Sequence, residues 1–318
     1  MKNLLIAFIS FGITLIVLSF LTKGRLLQFA LDEPNERSLH QTPVPRTGGI
    51  AILSGTMAGW YVLGAPDWPI WLALVILLVV SFLDDLHNLP VLARFGTHFI
   101  ASGLFAYFVL LPSIGPIGTS ILVLIMVWMI NLYNFMDGSD GLAGGMAFFG
   151  FGFYSIASWM ANDKSFALLN MAIAMSAVAF LVFNFHPAKI FMGDAGAIPL
   201  GFLAASLGLL GWKNGNWPLW FPLAIFSPFI VDTTATLLKR FFKGEKVWQA
   251  HKGHYYQRLI RMGLGHRNLA LLEYALMAAI GLASLAAMRH PAPLLAFLGI
   301  TFALVMRHID RRWTEYDK

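Results

Sequence analysis

The sequence contains no cysteine, which excludes disulfide frameworks, thiol nucleophiles and cysteine-based zinc sites. It is also poor in charge, since only 12% of its 318 residues are Asp, Glu, Lys or Arg and 58% are hydrophobic. Soluble domains average about 25% charged and about 45–50% apolar residues, and the mean hydropathy here is +0.70. This composition excludes a secreted, cytosolic or disordered protein and predicts a polytopic membrane protein.

Apolar segments recur along the whole chain. Because a transmembrane helix needs about 20 apolar residues, we predict a single all-α domain, residues 1–318, built as a membrane bundle of about eleven helices. The predicted helices span residues 3–21, 48–63, 68–83, 95–111, 117–133, 142–161, 165–185, 197–212, 217–238, 269–288 and 292–306. No small-x-small cleavage site precedes Thr22-Lys23, so we expect the first segment to be a retained helix rather than a signal peptide.

The basic residues are unevenly distributed between the two sides of this bundle. With the N-terminus outside, the inner loops carry most of the 22 Lys and Arg residues, and the outer side holds only Lys2, Lys164, Lys213 and Arg289. Since Lys and Arg concentrate on the cytoplasmic side, an N-out, C-in topology is predicted. The net charge of +6 is then explained by anionic membrane lipids and does not require nucleic acid.

The first candidate site is the pair Asp84-Asp85 at the inner end of the third predicted helix, followed by Arg94. Adjacent carboxylates repel each other, so they are costly there unless a cation or a raised pKa relieves them. One interpretation is a solvated helix terminus. The other is a Mg²⁺ site, because this hard ion prefers carboxylate oxygens and keeps substrate phosphates among its ligands.

A polar ladder ends the fifth predicted helix. Asn131, Asn134, Asp137 and Asp140 are each three residues apart, so they would project from one side if the helix continued. Glycines follow, and the next helix begins nearby with an N-terminus suited to phosphate. A simple turn is the alternative to a nucleotide or metal site.

Two further inner loops carry candidate ligands. Asp194 is a carboxylate between glycines, with Phe191 able to stack on a base; a plain Gly-Asp turn is the alternative. In the first long loop, Arg37, His40 and Arg46 could grip phosphate groups, or the segment could simply connect two helices.

The last long loop holds His251 and His254 beside a basic cluster. These histidines could contact an anionic sugar nucleotide, and the cluster could anchor the chain at the membrane surface. Asp232 is expensive in lipid, so we expect it to face a cavity. The remaining isolated histidines are taken as structural: His87, His98, His266, His290 and His308.

Together these loops place acidic, amide and cationic groups on one membrane face, which suits a metal-assisted reaction between a phosphorylated lipid and a soluble nucleotide. A transporter of anionic substrates is the main alternative, but transporters place polar residues near the bilayer midplane, often in repeated halves. An intramembrane aspartyl protease is disfavoured because no Gly-x-Gly-Asp is present. A CDP-alcohol phosphotransferase is disfavoured because no Arg follows Asp137-Gly138 before Arg240.

These motifs occur in a fixed order: Asp84-Asp85 with Leu89 and Arg94, Asn-x-x-Asn-x-x-Asp-Gly-x-Asp-Gly-Leu-Ala over 131–143, Phe-Met-Gly-Asp over 191–194, then His251 and His254. In this order they resemble the polyprenyl-phosphate N-acetylhexosamine-1-phosphate transferase superfamily, over nearly the whole chain. The resemblance implies a helical bundle in the bacterial cytoplasmic membrane with a cytoplasmic active-site groove. It also implies transfer of a sugar 1-phosphate from a UDP-sugar to undecaprenyl phosphate, release of UMP, and a need for Mg²⁺, with Mn²⁺ as an alternative. A homodimer is compatible with it.

The resemblance further implies roles for individual residues. Asp194 and Asn134 would hold the metal ion and the pyrophosphate, Phe191 would stack on uracil, and Arg94 would pair with phosphate. The aspartates expected to be catalytic are Asp84, Asp85, Asp137, Asp140 and Asp194. The residues expected to bind substrate by this resemblance are Asn131, Asn134, Phe191, Arg94, His251 and His254.

The histidine motif also bears on which donor sugar is expected. The muramoyl-pentapeptide branch has a run of three histidines and the N-acetylglucosamine branch a His-x-His-His, whereas this chain has His251-Lys252-Gly253-His254. The flanking Gly-Glu-Lys-Val and Tyr-Gln-Arg-Leu look more like enzymes that start O-antigen or related polysaccharides with 6-deoxy-N-acetylhexosamines, such as N-acetylfucosamine or N-acetylquinovosamine. UDP-N-acetylglucosamine is the alternative donor.

Overall fold

The computed structural model describes residues 2–23, 31–32, 43–64, 66–87, 89–247 and 251–316, and most of them are helical. The helices are α1 (Lys2–Lys23), α2 (Gly48–Leu63), α3 (Trp68–His87), α4 (Val91–Phe105), α5 (Leu111–Phe135), α6 (Leu142–Met160), α7 (Lys164–Asn184), α8 (Asp194–Lys213), α9 (Trp220–Ile225), α10 (Ser227–Phe242), α11 (Tyr255–Leu259), α12 (Gly265–Ala286) and α13 (Ala292–Tyr316). Two π-helical turns, Ala106–Leu110 and Ile260–Leu264, precede α5 and α12. A short antiparallel pair joins β1 (Leu31–Asp32) to β2 (Val44–Pro45), with Leu31 opposite Pro45.

Helices occupy every apolar segment that the sequence pattern marks, so the helical fold class is confirmed. Within the described ranges, seven helical stretches are long and apolar enough to cross a membrane: Leu4–Thr22, Trp68–His87, Val91–Phe135, Lys164–Asn184, Asp194–Lys213, Tyr255–Ala286 and Ala292–Tyr316. The chain is therefore an integral membrane protein. The total of eleven crossings, the N-out orientation and the cytoplasmic groove stay predictions.

The stretch Val91–Phe135 contains two of the predicted helices. As one straight helix its 45 residues would be about 68 Å long, roughly twice the ~30 Å hydrocarbon core. Gly115 interrupts it with φ 75° and ψ 173°, a conformation open to glycine, and Pro116 follows. Because α4 packs against α5, the chain reverses at this point.

The predicted continuous helix over 217–238 is wrong. The structure has two helices there, α9 and α10, with a break at Phe226, whose φ of −93° and ψ of 11° are not helical. Pro228 lies in the first turn of α10 and has no N–H to continue the ladder of α9. This break lets α9 and α10 lie against different neighbours.

α8 is the central helix of the bundle. In the most apolar 18-residue stretch of α8, 89% of the residues are buried. The corresponding share for α13 is 11%, so α13 lies at the periphery. α8 packs against α5, α3 and α2. A Cβ on Gly49 of α2 would lie 2.2 Å from the Gly196 backbone of α8, so only glycine permits this crossing. The crossing fixes the first turn of α8, which begins at Asp194.

Backbone hydrogen bonds tie the start of α2 to the segment before α8. The Gly48 amide donates to the Phe191 carbonyl at 2.9 Å, and the Gly49 amide donates to the Met192 carbonyl at 2.8 Å. In return the Phe191 amide donates to the Pro45 carbonyl at 2.7 Å. Two of the amides that every helix N-terminus leaves without an internal partner are thereby satisfied, and the Arg46 segment is placed beside the residues before Asp194.

Candidate active site

Asp85 joins α3 to the first turn of α8. Its Oδ1 accepts a hydrogen bond from the Asp194 amide at 3.2 Å, and its Oδ2 accepts one from the Ala195 amide at 3.0 Å. A carboxylate at this position satisfies two amides of the helix terminus and lies at the positive end of the helix dipole. Asp85 therefore lies beside Asp194, with both of its oxygens engaged by backbone amides.

Asp84 faces the other way and forms an ion pair. Its Oδ1 accepts from the Leu89 amide at 2.6 Å, and its Oδ2 lies 3.1 Å from Arg94 Nη1. The same Arg94 nitrogen lies 3.8 Å from Asp194 Oδ2, and the Asp84 and Asp194 side chains are within hydrogen-bonding reach of each other. Two carboxylates, those of Asp84 and Asp194, therefore converge on the guanidinium of Arg94.

The donor set of this cluster fits a magnesium ion. Two carboxyl groups in mutual contact need a proton or a cation between them, and carboxylate oxygens are the ligands that Mg²⁺ prefers. Among the described residues no group of three or more His, Cys, Asp or Glu side chains is arranged to hold a metal ion alone. Asp194 with Asp84 would therefore hold such an ion together with substrate phosphates, which is how Mg²⁺ is usually bound.

A cavity of about 340 Å³ begins beside this cluster, between α4 and α5. Its polar lining consists of Arg94, His98, Asn131 and Asn134. The rest is apolar: Val91, Phe95, Leu124, Val127, Trp128, Phe135, Ile198, Leu237 and Val247. Arg94 also lines a narrow crevice that reaches Asp84, so it connects the carboxylates to the cavity.

His98 also lines this cavity. It is buried, and its Nδ1 lies 3.3 Å from Asn131 Nδ2, which also donates to the Val127 carbonyl at 2.7 Å. The sequence treated His98 as structural by default. The signal that could have found it is its position one turn after Arg94 on α4.

The polar ladder does not lie on one helix face. α5 ends at Phe135, so Asn131 and Asn134 face the cavity while Asp137 and Asp140 lie in the following turn. Asp140 is buried and points elsewhere: its Oδ2 accepts from the Ala188 amide at 3.2 Å and lies 2.6 Å from His186 Nδ1. The helix stops before the aspartates, so the condition under which the four side chains would share one face is not met.

A histidine pair that the sequence did not single out surrounds Asp140. His266 Nδ1 lies 4.0 Å from Asp140 Oδ1 and 2.9 Å from Ser139 Oγ. The rings of His186 and His266 stack with centroids 5.6 Å apart and planes 7° apart. These contacts hold the turn that carries Asp137 and Asp140 against the loop before α8.

Asp232 was expected to face a cavity. In the structure its carboxylate is instead bound to the start of α11 in the last loop. It is buried, and its Oδ1 accepts from the Tyr255 amide at 3.0 Å while its Oδ2 accepts from the Tyr256 amide at 2.9 Å. His254 Nδ1 lies 3.2 Å from the same Oδ1. Asp232 thus satisfies the start of α11 and fixes the ring of His254, which lies against Phe135 of the cavity wall at 6.1 Å between centroids.

His251 stacks on His254, with ring centroids 4.8 Å apart. Its Nδ1 accepts a hydrogen bond from the Gly253 amide at 3.0 Å. Burial, together with the nearby His254, Arg240 and Arg258 and against the opposing effect of Asp232, lowers the pKa of His251 to about 4. The ring is therefore neutral near pH 7.

The remaining predicted residues divide into two groups. Phe191 and Arg46 are half-buried, and their segments are adjacent because the Phe191 amide donates to the carbonyl of Pro45 at 2.7 Å. A Cβ on Gly193, which has φ 71°, would touch the Arg46 carbonyl oxygen at 2.2 Å. Arg37 and His40 lie outside the described residues. The structure thus places Arg46, Phe191, Asp194, Asp84 and Arg94 together around the first turn of α8.

Comparison with known proteins now identifies the family. Residues 68–211, which run from α3 to α8 and include Asp84, Arg94 and Asp194, match the model of glycosyl transferase family 4. The chain is 30% identical to a Bacillus subtilis protein named probable undecaprenyl-phosphate N-acetylglucosaminyl 1-phosphate transferase, over 86% of this chain and 82% of that protein. The chain belongs to glycosyl transferase family 4.

Other relatives agree with this assignment. A Mycobacterium leprae decaprenyl-phosphate N-acetylglucosaminephosphotransferase is 28% identical over 77% of this chain and 73% of its own. A Yersinia pestis undecaprenyl-phosphate alpha-N-acetylglucosaminyl 1-phosphate transferase is 30% identical over 79% and 76%. These names confirm the resemblance to the polyprenyl-phosphate N-acetylhexosamine-1-phosphate transferase superfamily.

Proposed function

We propose that this protein transfers an N-acetylhexosamine 1-phosphate from a UDP-sugar to a polyprenyl phosphate and releases UMP. The acceptor that we propose is undecaprenyl phosphate. The observation that carries the proposal is the position of Arg94. It bridges Asp84 and Asp194 and also lines the largely apolar cavity between α4 and α5. A charged reaction centre at the head of an apolar cavity is what a phosphorylated lipid substrate requires. The names of the relatives support the same reaction class.

The cavity supplies the lipid side of the reaction. Its apolar walls on α4 and α5 suit the first isoprene units of a polyprenyl chain, since burying apolar surface is favourable by about 25 cal/mol per Å². At its polar end Arg94, with its forked donors, would pair with the lipid phosphate, and Asn131 and Asn134 would donate to the remaining oxygens.

The segments around the first turn of α8 supply the nucleotide side. Phe191 would stack on uracil, and Arg46 would contact the pyrophosphate from the adjacent backbone. His251 and His254 would meet the sugar or the pyrophosphate, with the imidazole of His254 fixed by Asp232. Asp137 and Asp140 would hold the turn and the nucleotide beside it.

Magnesium, when bound by Asp194 with Asp84 or Asn134, would neutralise charge on the phosphates. The residues of the chain then orient a single in-line displacement: an oxygen of the lipid phosphate bonds to the β-phosphorus of the UDP-sugar, and the bond to the bridging oxygen breaks with its electron pair leaving on UMP. A phosphate monoester has a second pKa of about 6, so it is largely dianionic at neutral pH and needs no strong base. A covalent phospho-aspartate on Asp84 or Asp85 is the alternative. Asp85 is poorly suited to it, since two amides occupy its oxygens.

The finer parts of the proposal concern the sugar and the pathway. The residues around His251 and His254 favour a 6-deoxy-N-acetylhexosamine donor and the initiation of O-antigen or a related cell-envelope polysaccharide. The relatives' names instead carry N-acetylglucosamine, so UDP-N-acetylglucosamine is the donor to compare directly. We further propose a cytoplasmic-membrane location with the site on the cytoplasmic face, as the Lys and Arg distribution predicts.

The test is a transfer assay with purified protein in detergent, Mg²⁺, undecaprenyl phosphate and a panel of radiolabelled UDP-N-acetylhexosamines. We expect lipid-linked sugar phosphate from one donor, reversal by added UMP, and loss of product on chelation and in Asp194→Asn. Asp67→Asn changes an exposed acidic residue just before α3, at the end of the helix opposite Asp84, and is the matched control that should retain activity. Binding of the donors without turnover by folded protein would contradict the proposal and favour a transporter or sensor.

A further inference from the structure

A second cavity, separate from the reaction centre, lies between the end of α11 and the inner part of α13. Its volume is about 370 Å³. One wall comes from α11 and the π-helical turn after it, and the other comes from α13. The lining residues are Leu259, Met262, Gly263, Leu264, His308, Ile309 and Arg312.

The walls combine apolar and cationic side chains. Leu259, Met262, Leu264 and Ile309 form an apolar surface, and Arg312 lies at its edge. None of the described residues that line the cavity is acidic. The neighbouring Asp310 is already paired with other partners, because it bonds Lys239 and its Oδ1 lies 3.0 Å from Arg258 Nη1.

The cavity lies where α13 changes from apolar to basic. Leu304 and Val305 are exposed as in a lipid-facing helix, and basic residues begin with Arg307. Trp313 lies nearly two turns beyond Arg307, with the guanidinium of Arg261 4.7 Å from its ring centroid. Aromatic and basic residues of this kind mark the membrane–water interface.

We propose that this cavity binds one anionic phospholipid of the surrounding leaflet. Arg312 would pair with the phosphate, and the first part of one acyl chain would lie against Leu259, Met262 and Ile309. The apolar wall argues for a lipid rather than a soluble anion, since free phosphate gains nothing from four apolar side chains. Basic pockets between membrane helices are typical sites for anionic headgroups.

Photo-crosslinking tests this site directly. The purified protein, in mixed micelles of phosphatidylcholine and detergent, is incubated with a phosphatidylglycerol that carries a diazirine on its acyl chain, and labelled peptides are mapped. We expect labels within residues 259–264 and 308–312. Arg312→Gln should reduce the labelling about fivefold, because one basic residue near an anionic headgroup contributes about that factor.

Arg311→Gln is the matched control. It removes the same charge from the neighbouring position, and Arg311 is exposed and does not line the cavity. Met262→Trp, which fills the cavity and keeps every charge, should reduce labelling as Arg312→Gln does. Thermal unfolding of each variant checks its folding. Equal loss in Arg311→Gln, equal labelling by a diazirine phosphatidylcholine, or full competition by inorganic phosphate would overturn the proposal.

Discussion

The carboxylate of Asp85 holds the backbone of Asp194 in place. It accepts a hydrogen bond from the Asp194 amide at 3.2 Å and another from the Ala195 amide at 3.0 Å. This bond joins residues more than a hundred positions apart and links the third helix to the central one. The adjacent Asp84 instead faces Arg94. The two carboxylates of one sequence motif thus have different tasks, one supporting the fold and one facing the reaction centre.

The two aspartates should respond differently to mutation. Asp85→Ala leaves two amides at the start of α8 without their acceptor, and loss of such a helix-terminal acceptor costs about 0.5–2 kcal/mol. We therefore expect a lower unfolding temperature together with lower activity. Asp84→Asn should abolish transfer and leave the unfolding temperature nearly unchanged, since its amide oxygen can still accept from the Leu89 amide.

Thermal unfolding in detergent, followed by tryptophan fluorescence, and transferase assays on the same preparations would measure both effects. Asp85→Asn is the matched variant, because it keeps one acceptor for the α8 amides and should unfold between wild type and Asp85→Ala. If Asp84→Asn and Asp85→Asn unfold at the same temperature, the division of tasks is refuted.

Arg94→Lys should impair the protein despite its retained charge. Nη1 of Arg94 faces both Asp84 and Asp194, and the planar guanidinium leaves its other donors available to the cavity. A single ammonium group has no second, separate set of donors with which to do both. We expect the KM for polyprenyl phosphate to rise by about tenfold, the effect of losing one good charge-assisted hydrogen bond. Initial rates at varied lipid concentration give the KM, and Arg289→Lys, an exchange beyond the end of α12, is the control. An unchanged lipid KM would argue against a phosphate at Arg94.

The sequence predicted much of the site because its motifs are local. Hydrophobic length was enough to find the helices, and the clustering of Asp84, Arg94 and Asp194 followed from their common membrane face. The end of α5 was predicted at residue 133, two residues before the observed end at Phe135, so the helical spacing from Asn131 to Asp140 does not correspond to a continuous helix. The break at Phe226 was hidden by continuous hydrophobicity.

Residues that act through long-range contacts were also missed. His186 and His266 come together only because the loops after α7 and before α12 meet at Asp140. The sequence showed Asp232 only as a charge inside an apolar segment. Its role depends on α11, because it accepts hydrogen bonds from the Tyr255 and Tyr256 amides, 23 and 24 residues further along the chain. Pairings of this kind are set by tertiary packing, which no single sequence pattern encodes.

Asp310 should act as a positioning residue for the histidine loop. Its carboxylate accepts from the Tyr255 hydroxyl at 3.2 Å and pairs with Arg258 and Lys239, so α13 holds α11 and the adjoining His254 in place. We expect Asp310→Asn to raise the KM for the UDP-sugar several-fold and to leave the lipid KM unchanged. Asp310→Glu, which keeps the charge, should restore the nucleotide KM.

The matched control for Asp310 is Arg307→Gln, a charge removal one turn earlier on the exposed face of α13. Steady-state kinetics with each substrate varied in turn separates the two KM values. A parallel rise of both, or the same rise in Arg307→Gln, would show that α13 affects the bundle generally and does not position the loop.

The stability of the protein should fall below pH 6.5 in a way that depends on His251. Burial holds the pKa of this half-buried ring at about 4, whereas in the unfolded chain it has its ordinary value of 6.5. Between these values the unfolded state binds a proton that the folded state does not, so stability decreases as the pH falls from 6.5 to 4. His251→Gln removes this linkage. The unfolding temperature of wild type minus that of the variant should therefore shrink as the pH is lowered from 7 to 4, and a difference that stays constant or grows would show that His251 is charged in the folded protein.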